Sequence, residues 1–247
     1  MKDFDPATSF GYDVSKRYDA ESLRGDEEDT VEFLARLAGG QDALELAVGT
    51  GRIALPLARA GVRVDGIELS QDMVDRMREK PGGDAIDVTI GDMSRVTTGR
   101  TYGIVYLVFN TIGNLLTQDD QVRCFHNAAR HLSDDGVFVV ECRVPIAPSW
   151  AGHQRVGVQQ VEVDHVRLDV SRYDPVTQIL DISHVRMGAN GVVLFPIRLR
   201  LAYPPEFDLM ARIAGLRVRE RWGGWNGEPF TAESWRHVTV YERQPAG

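Results

Sequence analysis

The sequence is poor in cysteine and contains no long apolar run. Only two of its 247 residues are cysteines, Cys124 and Cys142, and their spacing matches no zinc motif. No apolar run approaches the roughly 20 residues that a membrane-spanning helix needs, and no charged-then-apolar leader is visible. We therefore expect a cytoplasmic protein in a reducing compartment, without a bound metal and without a membrane partner.

Positive charge is also scarce relative to negative charge. Lysine and arginine together number 28 against 36 aspartate and glutamate residues, which gives a net charge of −8. Such a surface repels the phosphate backbone of nucleic acids, so we expect a small-molecule substrate and no nucleic-acid partner. The length suffices for one large core, and we expect residues 1–247 to form a single domain. The sequence leaves a homodimer open.

Between Ala43 and Cys142, short β-rich runs alternate with longer helical stretches, which is typical of βαβ units on a parallel sheet. Beyond Pro145 the pattern changes to alternating apolar and polar residues, which predicts an antiparallel lid insertion over about 146–203. A helix over Glu206–Ala214 is expected to follow. The predicted strands are Ala43–Ala47, Val62–Ile67, Ala85–Ile90, Tyr102–Phe109, Val137–Cys142, Val156–Val163, Val166–Ser171, Ile179–Met187, Val192–Ala202, Leu216–Trp222 and His237–Arg243.

Local signals predict where several helices begin. Ser70 and Thr117 each precede acidic residues and an apolar face, as N-cap residues do. An amphipathic helix is expected over Asp26–Leu37. The segment before it, about 1–25, carries aromatic residues without a clear period, and we expect it to form an irregular N-terminal flap.

A glycine-rich loop follows the first predicted strand. The run from Gly49 to Ala54 fits the pattern G-x-G-x-x-A, and backbone N–H groups at a strand-to-helix turn favour a negative or polar ligand group. Glu68, at the end of the second strand, is placed to accept hydrogen bonds from ribose hydroxyls. Both features occur in dinucleotide sites and in other adenosine sites. We expect a valine at Gly51 to fill space that the ligand needs.

Four segments together resemble the class I methyltransferases that use S-adenosyl-L-methionine. They are ELAVGTGR at 45–52, IELS at 67–70, IGDM at 90–93 and VFNTIGNL at 108–115. The resemblance covers essentially the whole chain and extends to actinobacterial small-molecule methyltransferases. It implies an α/β fold, namely a Rossmann-like seven-stranded, mostly parallel sheet with helices on both faces, plus an inserted antiparallel sheet after the fifth strand.

The resemblance also implies a cofactor site. Its first loop would hold the methionine end, Glu68 the ribose, Asp92 and Met93 the adenine, and Phe109 and Asn110 the side that faces the transferred methyl group. Ala47 departs from the glycine that the family often has at that position. The implied cofactor-binding residues are Tyr12, Tyr18, Glu45, Ala47, Gly49, Gly51, Arg52, Glu68, Leu69, Met73, Gly91, Asp92, Met93, Phe109 and Asn110.

No strong acid–base constellation is visible, and methyl transfer from a sulfonium does not require one. The reaction is an in-line displacement, so positioning the nucleophile and excluding water supply most of the catalysis. The catalytic residues stay unknown, with Tyr18, Asn114, His126 and His131 as candidates. Each has a structural alternative: Tyr18 packs the flap, Asn114 shapes a loop, and the histidines stabilise their helix.

These observations favour S-adenosylmethionine-dependent methyl transfer to an O- or N-nucleophile of a small molecule, with secondary metabolism as one setting. One alternative is a methyltransferase-like protein that binds the cofactor without turnover. Another is an NAD(P)-binding oxidoreductase, but the only Tyr-x-x-x-Lys spacing, Tyr12 to Lys16, precedes the first strand. The motif of enzymes that methylate amino groups of nucleic-acid bases is absent at Phe109–Ile112.

Overall fold

The computed structural model describes residues 24–145, 151–189 and 191–245, together with Gly11, Ser15, Tyr18 and Asp19. Within these ranges five α-helices and eleven strands follow one another in the order that the sequence predicts. No described helix is long and apolar enough to cross a membrane. The helices are α1 (Glu27–Ala38), α2 (Ala54–Arg59), α3 (Gln71–Arg78), α4 (Gln118–His131) and α5 (Pro204–Ile213).

Seven strands form the main sheet, in the order β10-β11-β5-β4-β1-β2-β3. Strands β1 to β5 are parallel, whereas β11 pairs antiparallel with both β5 and β10. This confirms the predicted fold class. The strands of this sheet are β1 (Ala43–Leu46), β2 (Val64–Glu68), β3 (Asp87–Ile90), β4 (Tyr102–Leu107), β5 (Leu132–Arg143), β10 (Leu216–Trp222) and β11 (Arg236–Arg243).

Helices cover both faces of the main sheet because its strands are apolar on both sides. On one face, α1, α2 and α3 pack around a buried cluster that includes Phe33, Leu57 and Val139. On the other face, α4 and α5 enclose an aromatic cluster in which Phe125 contacts Phe138 edge to face, with ring centroids 5.2 Å apart. The two clusters fix the sheet in the centre of the fold.

The predicted helix starts are confirmed at both caps. Ser70 Oγ accepts a hydrogen bond from the N–H of Met73, and Thr117 Oγ1 accepts one from the N–H of Asp120. Each bond satisfies a backbone donor that has no partner inside the helix. The helix predicted over Asp26–Leu37 is α1.

Two local predictions are wrong. The fifth strand, predicted over Val137–Cys142, begins earlier: β5 starts directly after α4 because Leu132 pairs with Tyr102, so residues 134–136 lie inside the strand. The N-terminal flap was expected to be irregular, yet Ser15, Tyr18 and Asp19 are helical. Tyr12 lies outside the described residues.

The predicted antiparallel insertion is a separate four-stranded sheet in the order β6-β7-β8-β9. It contacts the main domain where a short 3-10 helix, Thr111–Asn114, follows β4: a Cβ built on Gly113 would lie 3.4 Å from the carbonyl oxygen of Arg200. The insertion therefore stands beside the carboxyl end of β4. Its strands are β6 (Gln154–Val161), β7 (His165–Asp174), β8 (Ile179–Gly188) and β9 (Gly191–Arg200).

Candidate active site

The glycine loop joins β1 to α2 at the carboxyl edge of the parallel strands. Gly49 and Gly51 both have positive φ, +57° and +75°, which glycine adopts without strain. Around a Cβ built on Gly49 the nearest atom is the Ala47 carbonyl oxygen, 4.0 Å away. Ala47 itself has φ 57° and carries the strain of a left-handed alanine. The backbone at Gly49 is thus open to a ligand.

Gly51 has a different role from the one expected from the sequence. A Cβ at this position would lie 2.7 Å from Met77 Sδ and 2.9 Å from Leu55 Cγ, both inside the core. The glycine therefore lets α3 pack against the loop. The expectation that a valine here would fill ligand space is wrong, because that space is occupied by protein.

Glu68 ties the loop to the end of β2. Its Oε2 accepts the N–H of Gly49 and its Oε1 accepts the N–H of Ser70, each at 2.9 Å. The side chain is buried, and burial raises the pKa of the carboxyl group above its usual value. A carboxylate has about four acceptor positions, and the N–H groups of Ser70, Gly49 and Leu69 use three of them, so Glu68 can also accept from a ligand hydroxyl.

Glu45 is a second buried acid under the loop. Its Oε2 accepts a hydrogen bond from the Tyr106 hydroxyl at 3.0 Å. Burial raises the pKa of Glu45 to about 8, although the nearby Arg52 guanidinium acts in the opposite direction. Tyr106 is also buried, and its burial, together with the charge and the hydrogen bond of Glu45, raises the pKa of its hydroxyl well above the usual value.

The described residues of the N-terminal flap lie against this loop. Burial raises the pKa of Tyr18, and the charges that act on its phenol are, from largest to smallest, those of Arg52, Glu68, Glu45 and Asp19. The next residue, Asp19, accepts a hydrogen bond from Thr50 Oγ1 at 2.6 Å. Tyr18 thus lies near the two buried acids, Glu45 and Glu68, in a position to cover the glycine loop.

The edge beyond β2 and β3 carries the residues expected to flank an adenine. Leu69 is 42% exposed, whereas Met73 and Met93 are buried. Asp92 is partly exposed and already accepts from Ser94 N at 2.8 Å and from Arg95 Nε at 3.2 Å. Gly91 has φ 150°, and a Cβ there would clash with Val96. Leu69 directly follows β2 and residues 91–93 directly follow β3, so they form a rim at the same edge of the sheet as Glu68.

At the end of β4 two consecutive residues adopt left-handed backbone conformations. Phe109 and Asn110 have φ values of 64° and 60°, which are unusual for non-glycine residues. Backbone strain of this kind is found mostly at functional sites. The Phe109 ring lies under the guanidinium of Arg52, 3.9 Å from Cζ to the ring centroid. Asn110 Oδ1 accepts from Cys142 Sγ at 2.8 Å and from Arg143 N at 3.1 Å, so its side chain fixes the turn.

Sequence reasoning missed Glu141 and Arg24. Glu141, almost fully buried at the end of β5, accepts the N–H of Phe109 at 2.6 Å and two N–H groups of Arg24. Arg24 also lies over the Phe109 ring, 4.9 Å from the centroid. A single acid that ends the apolar run Val137–Val140 was the available signal for Glu141.

The structure removes His131 from the candidate site. Its Nδ1 lies 2.8 Å from the carbonyl oxygen of Asn127, and its Nε2 accepts the N–H of Thr98 at 3.1 Å. Both contacts lie near the amino ends of β4 and β5, at the opposite edge of the sheet from Glu68. His126 lies half-buried on α4, and Asn114 ends the short helix beside the insertion.

Comparison with known proteins identifies the family of the chain. A methyltransferase-domain family model matches residues 43–136. The chain is 31% identical over 212 residues to the cypemycin N-terminal methyltransferase of a Streptomyces species, a match that covers 83% of this chain and 84% of that protein. It is 27% identical over 206 residues to dTDP-3-amino-3,4,6-trideoxy-alpha-D-glucopyranose N,N-dimethyltransferase of Streptomyces venezuelae, with 78% and 82% covered.

Solved structures share the complete fold. The CcbJ methyltransferase from Streptomyces caelestis superposes with a TM-score of 0.89 and 37% identity, covering 97% of this chain and 99% of that one. CalS10 from Micromonospora echinaspora, solved with S-adenosylmethionine bound, gives a TM-score of 0.70 at 20% identity, covering 94% and 96%. The chain belongs to the S-adenosylmethionine-dependent methyltransferases and is an enzyme that transfers the methyl group of S-adenosyl-L-methionine.

Proposed function

We propose that this enzyme methylates an amine nitrogen of a small metabolite. The observation that carries the proposal is that two relatives over most of the chain are named for a peptide N-terminal and for an amino-sugar acceptor. The acidic net charge of −8 supports a small acceptor rather than a nucleic acid. The two cysteines, both buried and unpaired, fit a cytoplasmic location.

The cofactor site that we propose follows the carboxyl edge from β1 to β4. Gly49 offers open backbone to the methionine end, with Glu45 and Arg52 beneath it. Glu68 accepts from the ribose hydroxyls, and the rim of Leu69, Asp92 and Met93 flanks the adenine. When bound, S-adenosyl-L-methionine supplies a methyl group already activated by its sulfonium. The remaining implied contacts are Tyr12, Tyr18, Ala47, Gly51, Met73, Gly91, Phe109 and Asn110, with Gly51 acting through packing.

The chain's own residues position the acceptor and exclude water. Tyr18 covers the loop, and the left-handed turn at Phe109 and Asn110 is held rigid by Glu141 from below. A neutral amine is already nucleophilic, so these residues need only present its lone pair in line with the methyl group. Tyr18 and Asn114 stay candidates for contacts to the acceptor.

Calorimetric titration with S-adenosylmethionine, S-adenosylhomocysteine and NAD tests the cofactor assignment. We expect the two adenosyl compounds to bind at micromolar concentration and NAD not to bind. Glu68→Gln should lower the affinity for S-adenosylhomocysteine at least tenfold. Asp84→Asn should leave that affinity unchanged, because Asp84 is exposed and lies outside the site. Equal affinities in both variants would refute the role of Glu68.

A paired acceptor screen tests the choice of nitrogen. The panel contains a peptide with a free N terminus, the same peptide acetylated, an amino sugar and the corresponding hydroxyl sugar. Mass spectrometry should detect added methyl groups only on the members with a free amine. Methylation of the hydroxyl sugar alone would overturn the proposal and favour an oxygen acceptor, whereas tight cofactor binding without any methylation would favour the binding-protein alternative.

We further propose that a second copy of the chain covers the outer face of the antiparallel insertion. The strand register aligns three rows of side chains across this outer face, eleven of twelve apolar, and Val158, Val161 and Leu194 are each more than 60% exposed. The rows are Val156, Val170, Ser183 and Pro196; Val158, Leu168, Val185 and Leu194; and Val161, Val166, Met187 and Val192.

The outer face suits its own copy because it carries no charge within these rows. A two-fold dimer brings the same patch together with itself, which an uncharged apolar surface allows without repulsion. A stable interface of this kind buries at least about 1,200 Å² in total. An ion cluster of Arg172, Asp181 and Arg198 ends the patch on the side of the main domain.

A further inference from the structure

Helix α4 carries two side-chain amides that are buried in the fold. Gln121 is 0% exposed and Asn127 is 2% exposed. Burying an amide costs free energy unless its N–H groups find acceptors, so each of these side chains needs partners close by. The two residues are six positions apart, and at about 3.6 residues per turn they point to different sides of the helix. Each amide therefore contacts a different loop.

Asn127 holds the loop that follows β3. Its Nδ2 donates to the carbonyl oxygens of Met93 and Val96, at 2.9 Å and 2.8 Å. The N–H of Val96 in turn bonds to the carbonyl oxygen of Asp92 at 3.0 Å, which closes the loop into a turn. Asn127 thus fixes the backbone around Asp92 and Met93 to the helix. In the proposed site this is the segment that flanks the adenine.

Gln121 holds the loop that follows β4. Its Nε2 donates to the carbonyl oxygens of Ile112 and Leu115, each at 3.2 Å, in the 3-10 helix and directly after it. This short helix continues from the strained turn, because the N–H of Gly113 bonds to the carbonyl oxygen of Asn110 at 3.1 Å. Gln121 therefore fixes the backbone on the side where the proposed site meets the methyl acceptor.

Gln121 also connects this loop to the antiparallel insertion. Its Oε1 accepts from the guanidinium of Arg200 at 2.5 Å, and its Nε2 lies 3.3 Å from the carbonyl oxygen of Arg200, at the end of β9. The same guanidinium forms an ion pair with Glu206 near the start of α5 and donates to Gln178, between β7 and β8. One amide thus fixes the insertion against the acceptor side of the site.

We propose that Gln121 and Asn127 are positioning residues that divide the site between them. Asn127 sets the loop that binds the adenine of the cofactor, and Gln121 sets the loop and the insertion that bind the methyl acceptor. Because both side chains are buried, they act through the backbone that they hold and not by touching either ligand. The inference rests on the proposed function, since it takes these two loops to bind those two ligands.

Hydrogen exchange measured by mass spectrometry tests which loop each amide holds. Gln121→Met and Asn127→Leu nearly keep the size of the side chain and remove its N–H donors. We expect Gln121→Met to speed amide exchange at least tenfold in residues 111–115 and to leave residues 92–96 unchanged, and we expect the reverse for Asn127→Leu. Exchange that rises equally in both loops, or in neither, would overturn the inference.

Ligand measurements test whether this support matters for binding. Calorimetry with S-adenosylhomocysteine should show an affinity at least fivefold lower in Asn127→Leu and within twofold of the unmodified protein in Gln121→Met. On the acceptor that the amine screen identifies, Gln121→Met should raise KM for the acceptor at least fivefold and leave KM for S-adenosylmethionine within twofold. Residues that only stabilise the fold would affect both ligands alike. That result, or unchanged values in both variants, would overturn the inference.

Gln244→Met is the matched control. Gln244 Nε2 also donates to a backbone carbonyl oxygen, that of Leu216, at 3.0 Å. This bond lies at the opposite edge of the sheet from the site, because β11 runs antiparallel to β5 and Leu216 pairs with Arg243 at the end of β11. The control should change neither the affinity for S-adenosylhomocysteine nor either KM.

Serine variants keep the test open if a larger replacement does not fold. Gln121→Ser and Asn127→Ser leave space for water to bond the carbonyl oxygens without fixing their position, so the same opposite changes are expected. If the unmodified protein binds no S-adenosylhomocysteine or methylates no amine, the proposed function falls. If it does both and the two variants do not differ in this way, only the division of the site between Gln121 and Asn127 falls.

Discussion

The carboxylate of Glu141 holds the guanidinium of Arg24 through two hydrogen bonds, 2.8 Å and 3.1 Å long, across 117 residues of sequence. The same carboxylate accepts the N–H of Phe109 at 2.6 Å. One buried acid thus connects the N-terminal segment, the end of β5 and the strained turn after β4. Because these three parts frame the site that we propose for methyl transfer, this connection links stability to the proposed function.

We expect Glu141→Gln to lower the free energy of unfolding by about 1–3 kcal/mol, because an amide NH₂ replaces an oxygen that accepts buried N–H groups. Urea unfolding of the ligand-free protein measures the change. Arg63→Gln is the control, since Arg63 is exposed and its ion pair with Asp65 is long, with 4.0 Å between Nε and Oδ1. That control should change stability by less than about 0.5 kcal/mol. Equal values for the two variants would contradict the role of Glu141.

The two loop glycines should respond differently to alanine. At Gly51 a Cβ clashes with Met77 and Leu55 in addition to the positive φ, so Gly51→Ala should destabilise the ligand-free protein by more than the roughly 1–2 kcal/mol of a left-handed alanine. At Gly49 the space is open, so Gly49→Ala should lower the free energy of unfolding only by that backbone strain. It should also lower the affinity for S-adenosylhomocysteine. Thermal unfolding and calorimetry on the pair separate packing from ligand contact. Equal stability losses would refute the distinction.

Local signals were sufficient for much of the fold, whereas long-range contacts of the site were not predictable. Ser70 and Thr117 were identifiable as caps because an N-cap bonds to a backbone group three residues away. The partner of Glu141 lies 117 residues away, and no local pattern specifies it. The surroundings of Gly51 likewise depend on where α3 packs, which the loop sequence does not contain.

The buried acid Glu45 should make stability fall as pH rises. Burial raises its pKa to about 8 from 4.5, so between these values the folded chain keeps a proton that the unfolded chain has lost. Stability from this group is therefore complete below pH 4.5 and is lost toward pH 8, by at most about 1.4 kcal/mol per pH unit. Urea unfolding from pH 5.5 to 8.5 should show a flatter profile in Glu45→Gln. A profile with the slope of the unmodified protein would contradict the raised pKa.

His131 should affect stability and not cofactor binding. His131→Phe removes the hydrogen bonds to Asn127 and Thr98, and we expect a loss of about 1–3 kcal/mol in the free energy of unfolding. S-adenosylhomocysteine affinity should stay within twofold, because both contacts lie at the amino ends of the strands. The companion variant His126→Ala, at a half-buried position of the same helix, should cost less than His131→Phe. A large loss of affinity in His131→Phe would return this residue to the site.

The outer face of the antiparallel insertion gives the sharpest test of assembly, because consecutive residues on β9 point to opposite faces. Leu194 lies on the outer face and is 61% exposed, and Val193 lies on the other face and is 48% exposed. Leu194→Glu places a charge against its own copy across the two-fold axis, and we expect it to yield a monomer. Val193→Glu adds the same charge at the neighbouring position and should leave the dimer intact.

Sedimentation velocity on the two variants and the unmodified chain measures this difference directly. Charge and secondary-structure propensity are matched between the variants, so only the face that carries the glutamate differs. A dimer that survives Leu194→Glu and dissociates with Val193→Glu would place the interface on the opposite face. A monomeric unmodified chain would refute the proposed dimer. The eleven apolar side chains of the outer face would then be exposed to water in the native protein.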